Sequence, residues 1–162
     1  MKAVYIWGRI LIHCCSEPPA PQGYGQWLGL ELMNRNSKNS GISMWITTIN
    51  LEWGKLYDCQ DMDHEIDPKT VIGTEIKPGK SYTFCTCGRQ NSASGTEGTV
   101  TLAGHKDGSD HISDIYWSCP WGPKDNILKV SNTDPNWIIQ VPPISSGGPI
   151  GRVTIVFVNL SD

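Results

Sequence analysis

From residue 23 onward, apolar side chains alternate with polar ones in short runs, and no run carries a helical period. Leu28, Leu30 and Leu32 alternate along one segment. Ile42, Met44 and Ile46 alternate along the next, and Ile49, Leu51 and Trp53 continue one residue out of step, which predicts a bulge near Thr47-Thr48. Further strands are expected over 81–87, 96–102, 114–117, 126–130, 137–141 and 152–160, the last apolar on both faces and read as a central, doubly covered strand. Polar, glycine- and proline-rich turns separate them at 34–41, 77–80, 89–95, 104–110 and 145–149. The acidic stretch 54–67 reads as a loop. Strands at a spacing of roughly ten to fifteen residues, with no amphipathic helix between them, predict an all-β, single-domain sandwich or barrel of antiparallel strands. A length of 162 residues suffices for one such core.

Residues 1–22 do not share this pattern. An apolar segment interrupted by Arg9 leads into a stretch holding Pro18, Pro19 and Pro21. It is signal-like, but it lacks an unbroken apolar centre and a small-residue cleavage site, and it reads as an N-terminal extension and linker before a domain over 23–162. The formal net charge of -3 and the lack of any Lys/Arg block argue against nucleic-acid binding. No apolar run has the length of a transmembrane helix.

Chemistry-bearing patterns are sparse. The acids of 58–67 do not fit the calcium-loop template, and no Cys/His spacing resembles a zinc site, so no metal or cofactor is expected. His64, His105 and His111 lie in polar segments without a nucleophile motif, and no catalytic residue is expected. The even count of six cysteines permits disulfides without demanding them, and Cys85 and Cys87 point to one face of a strand.

Tryptophan carries the signal: there are seven, against two phenylalanines. Trp45, Trp117 and Trp137 fall inside alternating strands and are expected to pack in the core. Trp27 opens a strand, Trp53 ends one before Gly54-Lys55, and Trp121 lies beyond Pro120, which stops sheet pairing. These three are the candidates for exposure at one end of a sandwich, with Lys124 close by. Exposed indoles beside a cation suit a lipid headgroup, a sugar or another protein.

Four segments resemble the aegerolysin family. Gly23-Tyr24-Gly25-Gln26-Trp27 resembles its opening AYAQW, and Trp53-Gly54-Lys55 matches its WGK. Cys87-Gly88-Arg89 through Gly95-Thr96-Glu97-Gly98-Thr99 resembles CGRSDAxxGTTGT. Tyr116-Trp117-Ser118-Cys119-Pro120-Trp121-Gly122-Pro123-Lys124 resembles YWDCPWGSK, the most specific of the four. The resemblance implies an actinoporin-like β-sandwich and a non-enzymatic protein that recognises membrane sphingolipids, either sphingomyelin with cholesterol or ceramide phosphoethanolamine. It further implies a MACPF-domain partner with which a bicomponent pore forms. Lipid-facing roles carry over to Trp27, Trp53 and Trp121, and a headgroup-side role to Lys124. Ser94 stands where mushroom members often place a glutamate that influences lipid preference. Pro123 replaces a serine, Ser118 an aspartate, and Cys59 and Cys85 add to the family pair Cys87 and Cys119. Most members lack an ordinary signal peptide, so the expected location is secreted, or cytoplasmic with unconventional export, with action at a target membrane surface. The competing reading is a carbohydrate-binding module or lectin that uses the same Trp-lined loops.

Overall fold

A computed structural model describes residues 24–90 and 92–161. The N-terminal segment 1–22, and Gly23 at the head of the first motif, lie outside the described residues.

Eleven strands form two sheets among the described residues. The strands are β1 (Trp27–Asn34), β2 (Met44–Trp53), β3 (Lys55–Asp58), β4 (Asp61–Ile66), β5 (Glu75–Ile76), β6 (Ser81–Cys87), β7 (Thr96–Ala103), β8 (His111–Cys119), β9 (Ile127–Ser131), β10 (Trp137–Gln140) and β11 (Gly151–Asn159). The first sheet has the order β10-β11-β1-β6-β3-β4, and the second β5-β2-β7-β8-β9. Period-2 alternation turns one face of each sheet inward. Leu28, Leu30 and Leu32 of β1 meet Val153, Ile155 and Phe157 of β11 within the first sheet's inner face. Met44, Ile46, Val100, Leu102, Ile115 and Trp117 supply the second sheet's face. Phe84 of β6 and the fully buried Trp117 of β8 meet across the sandwich, ring centroids 5.7 Å apart and tilted by 55°. The register of β2 against β7 shifts between Ile46 and Thr48, where the phase of the apolar residues slips.

Four expectations need correction. The 54–67 stretch is not a loop: β3 pairs with β6 and β4 inside the first sheet. Its acids alternate because Asp61, Asp63 and Glu65 lie on an edge strand, where charge discourages pairing with another sheet. Second, the strands are not all antiparallel, because β1 and β11 run parallel from Leu28↔Gly151 to Asn34↔Phe157. Third, β11 lies within its sheet but is buried on one face only; Arg152 is exposed and Thr154, Val156 and Val158 are partly covered. Fourth, Trp45 is not a core residue, for it lies between the inward Met44 and Ile46 and is only partly buried. Trp137 is also partly buried, packed at the margin of the core, and Trp117 is fully enclosed.

A second, smaller cluster covers part of the first sheet. Tyr24, Tyr57, Cys85 and Cys87 are buried there, with Trp27, Cys59 and Met62 packed against them. Cys59 in the β3–β4 turn and Cys85 on β6 form a disulfide. Cys87 and Cys119 are buried free thiols.

Candidate lipid-binding site

Strand register assembles the site. Trp53, at the end of β2, pairs with Glu97 at the start of β7, and Glu97 pairs with Ser118 near the end of β8. Thr96, one residue earlier, points inward, is fully buried, and accepts from Trp117 Nε1 at 3.3 Å. The Trp53–Glu97–Ser118 row is therefore on the outer face. Tyr116, two residues back on β8, donates to Glu97 at 2.6 Å, which raises the Tyr116 pKa and anchors the carboxylate.

Two loops complete the rim. Gly54 turns the chain out of Trp53 with φ 90°, and a Cβ there would lie 2.4 Å from the Cys87 carbonyl oxygen. Gly95 has φ 69°, and a Cβ there would lie 2.2 Å from the Cys119 carbonyl oxygen and 3.0 Å from Trp121 N. Only glycine fits this backbone at that distance. Gly95 thus presses the 92–95 segment against Cys119-Pro120-Trp121. From the other side, Asn126 Nδ2 donates to the carbonyls of Ser145 and Gly148, both at 3.0 Å, and fixes the base of the Trp121 loop. The Cys119 thiol beneath donates to Gln26 Oε1 at 3.2 Å, and burial raises its pKa. A Cβ on Gly25 would touch the Trp121 ring at 3.4 Å, so the chain entering β1 lies against that indole.

The result is a cavity of about 280 Å³ lined by Trp53, Ala93, Ser94, Glu97, Pro120, Trp121 and Lys124. Trp53 is 58% exposed and Trp121 45%. Lys124 is exposed and forms no ion pair among the described residues. Ser94 Oγ shares a hydrogen bond of 2.8 Å with Ser92 Oγ. Of the five residues singled out in the sequence, four meet here: Trp53, Ser94, Trp121 and Lys124.

Trp27 does not line this cavity. It occupies the outward phase of β1, opposite in direction to Leu28, and packs in the second cluster. That cluster also holds Lys55, which sequence reading noted only as part of WGK. Lys55 is 6% exposed, with Nζ 4.7 Å from the Tyr24 ring centroid and 3.5 Å from its hydroxyl. Tyr24 donates in turn to Asp63 at 2.7 Å, which pushes its pKa up to about 12. Lys55 therefore braces the chain entering β1, and is not a free headgroup cation. Nearby, the paired Arg89 holds the Glu65 carboxyl below its usual range.

Glu97 and Ile127 were also missed. Glu97 belongs to the 87–99 motif, and its strand phase was available. Ile127 is 45% exposed at the start of β9, opposite Ser118. Its phase in the 126–130 strand, out of step with Leu128 and Val130, was the available signal.

Comparison with known proteins bears on the family and the fold. A family model described as Aegerolysin matches residues 25–159. The chain is similar to Aegerolysin Aa-Pri1 of Cyclocybe aegerita, at 32% identity over 135 residues, covering 83% of this chain and 90% of the relative. It is similar to Asp-hemolysin of Aspergillus fumigatus at 34% identity, covering 83% and 93%. Among solved structures, IP-1A from Alcaligenes faecalis superposes with a TM-score of 0.73 at 32% identity, covering 85% of this chain and 94% of that one. Motifs, sandwich and relatives agree, and the chain belongs to the aegerolysin family.

Proposed function

We propose that this aegerolysin recognises membrane lipid through the Trp53–Trp121–Lys124 cavity. The observation that carries the reading is two indoles, 58% and 45% exposed, flanking a lysine with no carboxylate partner among the described residues. Lys124 would donate to a phosphodiester oxygen while the rings lie at the headgroup and upper acyl level. The ligand class is a phosphosphingolipid, sphingomyelin with cholesterol or ceramide phosphoethanolamine. Ser94 offers a small neutral hydroxyl at the cavity wall, so the cationic nitrogen of the headgroup meets Glu97, the carboxylate in the lining. Trp27 contributes from the neighbouring cluster and supports the site through the chain entering β1.

The function is binding without turnover, as the receptor component of a bicomponent pore-forming cytolysin whose MACPF-domain partner supplies the inserted hairpins. Among the described residues no helix is long and apolar enough to cross a membrane. The Cys59–Cys85 disulfide favours an oxidising location, in keeping with secretion or unconventional export and action at a target membrane.

Co-sedimentation with vesicles tests the reading. Vesicles of sphingomyelin, with and without cholesterol, and of ceramide phosphoethanolamine are compared with phosphatidylcholine alone. Selective pelleting with a phosphosphingolipid is expected. Absence of binding to every vesicle, with glycan retention that Trp121→Ala abolishes, would assign the cavity to a sugar. Strong lysis by the purified chain alone would remove the need for a partner.

A further inference from the structure

The two ends of the sandwich differ in chemistry. The lipid-binding cavity lies where β2 ends, β7 begins and β8 ends. A second cavity, of about 370 Å³, lies where β2 begins, β7 ends and β8 begins. β2 is ten residues long, so the two openings are about 30 Å apart. The second cavity is within the range of small-organic-ligand sites, about 300–1,000 Å³.

Its walls carry one aromatic and several planar polar groups. Trp137 at the start of β10 is partly buried and pairs with Asn159 at the end of β11. Asp134 is held by its own turn: Oδ1 accepts from Asn136 N at 2.7 Å, and its carbonyl accepts from Trp137 N at 3.0 Å. Opposite, Asp110 Oδ2 lies 3.1 Å from His105 Nε2. Asp110 has φ 56°, a left-handed conformation that few non-glycine residues adopt, and Gly104 N donates to its carbonyl at 2.7 Å. The turn therefore holds this carboxylate toward His105 at a backbone cost. Asn136 makes no side-chain hydrogen bond among the described residues, and neither does Nδ2 of Asn159.

We propose that this second cavity binds a neutral sugar ring. An indole wall offers an apolar face for the C–H side of a pyranose, and Asp/Asn groups match vicinal hydroxyls, which both donate and accept. Other ligand classes fit less well. Among the described residues no three His, Cys, Asp or Glu side chains form a metal-binding group. Two carboxylates repel phosphate and acidic sugars. An ammonium ion only donates, so it would leave the Asn136 and Asn159 amide N–H groups without an acceptor. With the opposite end at a membrane, this opening faces the solution and could take a glycan in trans.

The test is nitrogen–proton correlation spectroscopy of the full chain during titration with methyl mannoside, methyl galactoside and methyl N-acetylglucosaminide, with methylammonium chloride as the cation probe. At least one sugar is expected to shift the Trp137 indole N–H and the Asn136 and Asn159 amides. Asn136→Ala, which removes an exposed side chain, should weaken that sugar at least tenfold, and Trp121→Ala should leave it unchanged. Shifts confined to Trp53 and Trp121, no shifts with any sugar at tens of millimolar, or a response to methylammonium alone would each overturn the proposal.

Discussion

Replacing Gly95 with alanine tests whether the two loops form one site. The matched control is Gly41→Ala. Gly41 and Gly95 have φ 72° and 69°, but a Cβ on Gly41 meets nothing within 4 Å, whereas one on Gly95 lies 2.2 Å from the Cys119 carbonyl oxygen. The control isolates the left-handed backbone cost, about 1–2 kcal/mol. At Gly95 the same cost applies, and the new methyl is more than about 1 Å inside normal contact distance. Overpacking of this kind adds about 1–3 kcal/mol. In a domain of this size each kcal/mol lowers Tm by about 2–4 °C. The control should therefore fall by about 2–8 °C, and Gly95→Ala by about 4–20 °C. Because the clash bears on Cys119, Pro120 and Trp121, Gly95→Ala should also weaken vesicle binding where Gly41→Ala does not. Scanning calorimetry and co-sedimentation measure the two effects. Equal melting and equal vesicle affinity for the two variants would refute the argument that Gly95 positions the Trp121 loop.

Two further outcomes follow from the buried thiols, phenols and the disulfide. The Cys59–Cys85 bond closes a separation of 26 residues, so Cys59→Ser should lower stability by about 3–4 kcal/mol in urea unfolding; an unchanged midpoint would show that the second cluster holds β3 and β4 unaided. Burial raises Cys87 to about 11 and Tyr57 to about 12, and the hydrogen bond to Asp63 raises Tyr24 to about 12. A group whose pKa is raised on folding stabilises the fold below its unfolded pKa, and that contribution is lost as pH rises through the folded value. Tm should fall from about pH 9 toward about pH 12, and the fall should be shallower in Cys87→Ala; a flat alkaline profile would contradict the burial of these groups.

Local pattern carried much of the fold. The alternating leucines of β1, the phase slip in β2 and the proline stop after Cys119 each depend on neighbours a few residues away. The parallel β1–β11 pair joins residues more than a hundred positions apart, and period 2 does not say which strand lies beside which. β3 and β4 were missed because charge was read as loop, although Asp61, Asp63 and Glu65 alternate as an edge strand requires. Phase also distinguished the tryptophans. Trp45 alternates against Met44 and Ile46, and Trp27 against Leu28, so both point outward. Trp53 and Trp121 were placed together by motif, and strand pairing through Glu97 explains why they meet. The pairing of Cys59 with Cys85 depends on β3 lying beside β6, a contact invisible in the spacing of six cysteines.

In the proposed site, lipid affinity resides in Trp53, Trp121 and Lys124. An indole offers at most about 250 Å² of surface. At 58% and 45% exposure, the two rings leave about 145 and 110 Å² for a membrane. At ~25 cal/mol per Å², these areas contribute at most about 3.6 and 2.8 kcal/mol. Micromolar binding needs about 8 kcal/mol, so both rings and a lysine–phosphate contact are required. The most direct measurement is the affinity of Trp53→Ala, Trp121→Ala and Lys124→Ala for sphingomyelin–cholesterol and ceramide phosphoethanolamine vesicles, with folding checked by circular dichroism. Each tryptophan variant should bind at least tenfold more weakly than the parent on the preferred lipid, and Lys124→Ala should be weakened on both lipids, since each headgroup carries a phosphodiester. Folded variants that all bind as the parent does would contradict the account.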